Sequence, residues 1–240
     1  MNFFRSLLFS VFFYCSTTLM GILGLPVLLT PARHSSQLGS LWGRWVHLCL
    51  SIIPIGFSME GDIAKSKQVI YAVKHQSAWE TLILYWQLDS PIVVLKKELL
   101  SIPILGQFMK RAGCIAVDRA AGMRALNKLK EEALLAKQEG RSILIFPQGT
   151  RVDPSDDATP YQIGVFSLYQ TLSIPVIPVA LNSGYYWLNK RITKKPGIID
   201  VIFLPPIKTG LPRKVFMTKL KRDIEDKCAE LEKKRIQNGW

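Results

Sequence analysis

The stretch VIYAVKHQSAWETLIL, residues 69–84, decides the fold. Its first five residues are strand formers, and Lys74 and His75 follow before a polar turn. Ser77 and Glu80 form a capping box, in which a serine and a glutamate three residues later satisfy the free amides at a helix start. The stretch therefore predicts a buried strand, a turn that carries a histidine, and a helix over residues 79–87.

The rest of the chain repeats this alternation of strand and helix. Further strands are predicted at residues 91–95, 113–117, 142–146, 175–181 and 198–204. Further helices are predicted at residues 104–109, 122–139, 163–171 and 213–235, the last one rich in lysine. Such alternation indicates an α/β fold, with a mostly parallel sheet flanked by helices. Folds of this class carry their sites beyond strand ends. His75, Lys96, Arg119 and Arg151 all fall there.

Composition limits the kinds of partner. The chain has 240 residues, a mean hydropathy of +0.17 and a formal net charge of +13. This excess of positive charge suits nucleic acid, an anionic membrane surface or a phosphorylated substrate, and charge alone does not choose among them. The four cysteines have no C-x-x-C spacing, so neither a disulfide framework nor a zinc site is expected.

The amino terminus favours a membrane. Residues 6–29 contain no charged side chain, and about 20 apolar residues suffice to cross a bilayer. Gly24 and Pro26 predict a kinked or broken helix, and a second apolar patch covers residues 41–57. A transmembrane span and a two-helix hairpin lying in one leaflet both fit this pattern. A cleaved signal peptide fits less well, because its apolar core is only about 7–15 residues long. We predict a retained membrane anchor at residues 1–58 and a second domain at residues 59–240, which the distribution of arginines places in the cytoplasm.

The capping box explains Ser77 and Glu80 without any chemistry, but it leaves His75 unexplained. A histidine just before a helix lies at the positive end of the helix dipole, which favours the neutral imidazole that a general base needs. Glu80 could accept the Nδ1 proton of that ring and leave Nε2 facing a substrate hydroxyl. A histidine and an acid five residues apart are a weak signal by themselves.

Two arginine segments add to this signal. In FPQGTR, residues 146–151, Gly149 lets the backbone approach a ligand, and Arg151 can offer a bidentate fork to phosphate. In GCIAVDR, residues 113–119, Arg119 follows another predicted strand. Each arginine taken alone is more often a surface charge.

In this order, the segments HQSAWE, GCIAVDR, FPQGTR and IPVA, together with the linker over residues 96–113, resemble the glycerolipid acyltransferase family. The resemblance covers residues 69–184 and is closest to the bacterial 1-acylglycerol-3-phosphate acyltransferases. Two positions depart from the family pattern. Glu80 stands where the family usually has aspartate, and Gln148 stands where it usually has glutamate. Gln148 can form hydrogen bonds but cannot act as an acid or a base.

The resemblance implies transfer of a fatty acyl group from a thioester to lysophosphatidic acid. It implies that His75 is the general base, that Glu80 orients it, and that other residues bind the acceptor phosphate, namely Arg119, Arg151, Lys96, Gly149 and Thr150. It implies no metal and no resident cofactor, with acyl-CoA or acyl carrier protein as the acyl donor.

The expected partners are therefore membrane lipid, lysophosphatidic acid and the acyl donor, and not nucleic acid. The expected location is a membrane, in bacteria the inner membrane, with the catalytic domain on its cytoplasmic side. Two alternatives stay open at this stage. The acceptor could be glycerol 3-phosphate or another lysophospholipid, or the chain could be an inactive relative that binds anionic lipid.

Overall fold

The computed structural model describes residues 2–64, 67–188 and 191–237. Its strands are β1 Ile55–Gly61, β2 Ile70–Val73, β3 Ile92–Lys96, β4 Ile115–Val117, β5 Ile143–Ile145, β6 Val176–Leu181 and β7 Gly197–Phe203. Its α-helices are α1 Asn2–Leu23, α2 Ala32–Cys49, α3 Trp79–Gln87, α4 Leu105–Arg111, α5 Met123–Gln138, α6 Ile163–Leu172 and α7 Arg213–Gln237. The strands and helices predicted after residue 69 are confirmed, with ends shifted by two residues at most.

The seven strands form one sheet in the order β1-β7-β6-β2-β5-β3-β4. Neighbouring strands are parallel except β6 and β7, which are antiparallel. Five strands therefore run one way, and β1 and β7 run the other way. As a result, the carboxyl ends of β2 to β6 and the first residues of β1 and β7 meet at one edge of the sheet, and this edge carries the site.

Strand β1 was not predicted from the sequence. We assigned its first residues to the apolar patch of the anchor, but Ile55 to Gly61 pair with the whole of β7. The partner strand lies about 140 residues further along the chain, so the local pattern could not reveal the pairing. The predicted division between residues 58 and 59 falls inside β1, and the division into an anchor and a second domain stays a prediction.

Alternate residues of the sheet face two separate cores. In β2, Tyr71 and Val73 pack in the core that contains α3, whereas Ile70 and Ala72 pack in the core that contains α5, α6 and α7. Successive side chains of a strand point to opposite faces. Continuing the alternation past the strand end therefore directs Lys74 towards the α7 side and His75 towards the α3 side.

The amino-terminal helices form a hairpin that lies against the rest of the molecule. Helix α1 ends at Leu23, and a short 3-10 helix with a proline in its first turn follows, so the predicted break is present. Helix α2 packs closely on α3, since a Cβ added at Gly43 would lie 2.7 Å from the carbonyl oxygen of Leu82. By length and composition, Phe3–Leu23 could cross a membrane, and only 11% of its most apolar window is buried.

Candidate active site

His75 lies just past the end of β2, at the edge where the parallel strands end. Its ring stacks on Phe146, with the two ring centroids 3.8 Å apart and the planes 18° from parallel. Its Nδ1 atom is 2.9 Å from Oε1 of Glu80, and 13% of the His75 side chain is exposed. The predicted pairing of the histidine with the acid is therefore present in the structure.

The Glu80 carboxylate is fully buried and accepts hydrogen bonds on both oxygens. Oε1 accepts from the backbone amides of Gln76 and Ser77, at 2.6 and 2.7 Å, in addition to His75. Oε2 accepts from the hydroxyls of Ser77 and Ser183, at 2.6 and 2.7 Å. We refer to these donors as the carboxylate cage: His75 Nδ1, the Gln76 and Ser77 amides, and the Ser77 and Ser183 hydroxyls.

The carboxylate cage decides the charge of Glu80. Burial alone would raise the pKa of this carboxyl, but the hydrogen bond and charge of His75, together with the hydrogen bonds from Ser77, outweigh burial and lower the pKa below its ordinary value. Glu80 is therefore ionised at neutral pH and can only accept hydrogen bonds. Because Oε1 is an acceptor, Nδ1 must carry a proton, and in the neutral ring Nε2 is left unprotonated.

Part of the predicted capping box is present in the structure, although the N-cap of α3 is Ala78. The Ser77 hydroxyl oxygen accepts a hydrogen bond from the Trp79 amide at 3.0 Å, while Glu80 reaches back to the Ser77 amide. The Glu80 carboxylate thus accepts a hydrogen bond from a free amide before helix α3 and also one from the His75 ring. These contacts bear out the structural explanation, and the chemical role of His75 stays a prediction.

Ser183 is a site residue that our reasoning from the sequence missed. It follows β6, and its partner Glu80 lies 103 positions earlier in the chain. The neighbouring Gly184 amide donates to the Gln76 side-chain oxygen at 3.0 Å, which fixes the loop after β6 against the turn after β2. A polar pair directly after a buried strand was the available signal, because parallel strands place such residues at one edge.

Gln148 contacts the backbone of His75. Its side-chain Oε1 accepts a hydrogen bond from the His75 amide at 3.1 Å, and the residue is 3% exposed. Its Nε2 is buried and has no acceptor within hydrogen-bonding distance in the part of the chain that the structure describes. The amide oxygen of Gln148 thus holds the backbone just past the end of β2, and a glutamate oxygen could accept the same hydrogen bond.

The two arginine segments lie close to each other and to the histidine. Arg119 directs a guanidinium nitrogen at the carbonyl oxygen of Gly149. The Val152 amide donates to the His75 carbonyl at 2.8 Å, so the residue after Arg151 is tied to the strand tip. The side chains of Arg119 and Arg151 are exposed, and so is that of Thr150. The FPQGTR loop and the neighbouring Arg119 therefore bring two exposed guanidinium groups to the edge that carries His75.

Lys96 is less closely connected to this group. It is the last residue of β3, it is exposed, and it lies opposite Val117 of β4. Among the described residues, no hydrogen bond or ion pair joins Lys96 to His75, Glu80 or the two arginines. It shares the sheet edge with them.

Comparisons with known proteins agree with this arrangement. A family model described as Acyltransferase matches residues 55–182. A relative from Pseudomonas aeruginosa, named 1-acyl-sn-glycerol-3-phosphate acyltransferase, is 31% identical over 206 residues, which cover 84% of this chain and 79% of the relative. A relative of the same name from Escherichia coli is 27% identical over 210 residues, covering 84% of this chain and 82% of the relative.

A solved structure has the same fold. It is the 1-acyl-sn-glycerophosphate (LPA) acyltransferase PlsC from Thermotoga maritima, which superposes with a TM-score of 0.75 over 97% of this chain and 98% of that chain. At 18% sequence identity, this likeness shows the fold alone. The family model covers more than half of the chain, and the P. aeruginosa relative is matched over most of its length. This chain therefore belongs to the acyltransferase family.

Proposed function

We propose that this acyltransferase moves a fatty acyl group from a thioester to the sn-2 hydroxyl of 1-acylglycerol 3-phosphate, forming phosphatidic acid for phospholipid synthesis. The observation that carries the proposal is the contact of 2.9 Å between His75 and a buried, ionised Glu80. The names of the relatives supply the substrate class. Acyl-CoA or acyl carrier protein is the thioester donor.

His75 is the general base in this scheme. Its unprotonated Nε2 takes the proton of the acceptor hydroxyl as that oxygen attacks the thioester carbonyl carbon. The tetrahedral intermediate then collapses, the carbon–sulfur bond breaks, and the imidazolium returns its proton to the leaving sulfur. Glu80 stabilises the imidazolium between these two steps. General-base assistance contributes roughly 10²–10⁴-fold, so positioning of the two substrates must supply much of the remainder.

The acceptor phosphate binds to the exposed cations of the same edge. Arg119 and Arg151 can each offer two parallel N–H groups to a phosphate, a geometry that a single ammonium cannot provide. Gly149 and Thr150 directly precede Arg151, and Gly149, which lacks a side chain, allows close approach of the backbone. Lys96 adds positive charge from the end of β3. We assign the phosphate site to these residues.

The contacts of α1 support one of the two membrane arrangements that the sequence left open. Ser6, near the start of α1, accepts a hydrogen bond from the Lys194 amide at 2.9 Å. Near the other end of α1, a Cβ at Gly21 would lie 3.0 Å from the side chain of Ile104. A helix of this length spans about 33 Å, so a membrane-crossing α1 would carry one end away from the globular part. Because both ends contact it, we favour a hairpin lying in the cytoplasmic leaflet over a transmembrane span.

The test is release of thiol from acyl-CoA by the purified protein in detergent, with and without lysophosphatidic acid. The parent is expected to release thiol only when acceptor is present, and His75→Ala is expected to lose this release. His34→Ala, a histidine of α2, is the matched control and should retain it. Acceptor-dependent release that persisted in His75→Ala would remove the mechanism.

A second variant tests the phosphate site. Arg151→Ala should raise the KM for lysophosphatidic acid, because it removes a guanidinium from the acceptor phosphate. An unchanged KM would place the phosphate elsewhere. If glycerol 3-phosphate replaced lysophosphatidic acid as the better acceptor, the substrate assignment would change and the chemistry would not. Lipid binding without turnover in the parent would indicate an inactive relative.

A further inference from the structure

Lys74 is a buried cation for which the proposed chemistry has no use. It directly precedes His75, yet its side chain is completely buried. Its ammonium donates to Oε2 of Glu225 at 2.6 Å and to the backbone carbonyl of Asp156 at 2.7 Å. An ammonium is removed from water at high cost unless such partners surround it. A charged residue kept at this position therefore needs an explanation.

The partner carboxylate belongs to the carboxy-terminal helix α7. Glu225 lies in the middle of that helix, and its other oxygen accepts a hydrogen bond from the Tyr161 hydroxyl at 2.8 Å. Burial, and then the charge of Glu225, raise the pKa of Tyr161, so this phenol stays a hydrogen-bond donor. Both oxygens of Glu225 are thus occupied. Helix α7 is thereby joined to the residue next to the proposed base.

The second partner of Lys74 belongs to the loop that continues from Arg151. The Asp156 carboxylate folds this loop on itself by accepting from the Ala158 and Thr159 amides at 3.0 and 2.9 Å. The loop is attached to the strand tip at two points. One is the hydrogen bond from the Val152 amide to the His75 carbonyl, and the other is Lys74 to the Asp156 carbonyl.

We propose that Lys74 is a positioning residue, which uses the carboxylate of Glu225 to hold the loop after Arg151 against the tip of β2. The alternation of side chains along the strand makes this possible, since Lys74 points to the α7 side while His75 points to the α3 side. Helix α7 is then part of the scaffold of the site as well as a cover for the sheet. The consequence for acceptor binding rests on the proposed function, because it assumes that Arg151 binds the phosphate.

A double variant separates positioning from simple stability. Lys74→Met alone leaves the Glu225 carboxylate, which is only 13% exposed, without its cation, so this variant is expected to unfold more easily. Lys74→Met combined with Glu225→Gln removes both charges, while the amide oxygen of the glutamine can still accept from the Tyr161 hydroxyl, so no unpaired charge or donor is left at this position. We expect the double variant to melt close to the parent temperature. We also expect its KM for lysophosphatidic acid to rise about tenfold, with a smaller change in kcat, since it lacks one charge-assisted hydrogen bond to the loop.

Hydrogen exchange supplies a readout that does not need activity. The amides of residues 152–161 should exchange faster in the double variant than in the parent. Lys219→Met is the matched control, because Lys219 pairs with Asp223 on the same helix but is 40% exposed. It should change neither the exchange nor the KM. Should the double variant not fold, Glu225→Gln keeps the shape of the side chain and should show the same faster exchange to a smaller degree.

The outcomes are distinguishable. A folded double variant with parental exchange in residues 152–161 and a parental KM would overturn the role of Lys74. Parental exchange in Glu225→Gln, where that variant has to be used, would overturn the proposal that the Glu225 carboxylate is needed to hold Lys74 against the loop. If the parent protein transferred no acyl group, the proposed function would fail, while the exchange measurement would still decide whether Lys74 holds the loop.

Discussion

Replacing Glu80 by glutamine removes the negative charge beside His75 and leaves the shape of the buried side chain almost unchanged. The amide oxygen is expected at the position of Oε1, because the Gln76 and Ser77 amides donate there at 2.6 and 2.7 Å. The amide nitrogen then faces the hydroxyls of Ser77 and Ser183, which can turn and accept. Nδ1 of His75 therefore keeps its acceptor, and the ring keeps its tautomer.

Because the hydrogen bond to Nδ1 is retained, the expected loss of rate comes only from the lost negative charge of its acceptor. A hydrogen bond to a charged group contributes about 1.5–3 kcal/mol, against about 0.5–1.5 kcal/mol between neutral groups. The difference, roughly 1–2 kcal/mol, applies to the imidazolium that forms as the acceptor loses its proton. Since about 1.36 kcal/mol corresponds to a tenfold change in rate, kcat should fall about 5- to 30-fold while the acceptor KM changes little.

The measurement is steady-state thiol release at saturating donor, with the melting temperature of each protein recorded in parallel. Glu131→Gln, an exposed glutamate of α5, is the matched control and should retain the parental kcat. A kcat for Glu80→Gln within twofold of the parent would refute the role of the charge. A loss above about 10³-fold in a stably folded variant would refute the retained tautomer, because a misplaced ring proton costs that much or more.

Three further predictions follow from the same edge of the sheet. Because the pKa of Glu80 is lowered in the folded state, its contribution to stability is complete above the unfolded-state pKa of about 4.3 and is lost as pH falls through the folded-state pKa. In urea unfolding, the free energy of unfolding should therefore fall less on acidification in Glu80→Gln than in the parent. Equal falls in the two proteins would contradict this. Gly149→Ala should destabilise the fold by about 1–2 kcal/mol, because Gly149 has a φ of +71°. It should also raise the acceptor KM, because a Cβ there would lie 2.9 Å from the Arg119 guanidinium. A parental KM and melting temperature would contradict this. Ser183→Ala removes one donor from the carboxylate cage and should lower kcat about fivefold, the effect of about 1 kcal/mol, and a parental kcat would show that Ser77 suffices.

Most of the fold could be predicted because most of its strands and helices show a characteristic pattern within their own residues. The run VIYAV is apolar at every position and ends at a polar turn, so it predicts a buried strand without knowledge of its neighbours. Strand β1 lacks that property. Its residues IGFSMEG continue an apolar run and become a strand by pairing with β7, whose position in the sheet cannot be seen from residues 55–61.

The same distinction applies to the site. His75 and Glu80 are five residues apart on one turn, so their contact could be anticipated from spacing. Ser183 reaches Glu80 from the other side of β2, and Glu225 reaches Lys74 from the last helix. These contacts arise because β6 lies next to β2 in the sheet, and because α7 packs on one face of these two strands. Sequence separations of 103 and 151 residues leave no local trace of either one.

One carboxylate therefore has two roles, and most substitutions would disturb both. After His75, the hydrogen bonds from the Ser77 hydroxyl and amide lower the pKa of Glu80, so contacts that stabilise the start of α3 also help to keep the charge that the proposed base needs. A capping box requires a glutamate three residues after the serine, which gives a structural reason for the longer acid where the family usually has aspartate. A variant at this position that loses the capping oxygen must then change stability and rate together. Only a substitution such as Glu80→Gln, which preserves the capping oxygen while removing the charge, can assign a loss of rate to the chemistry.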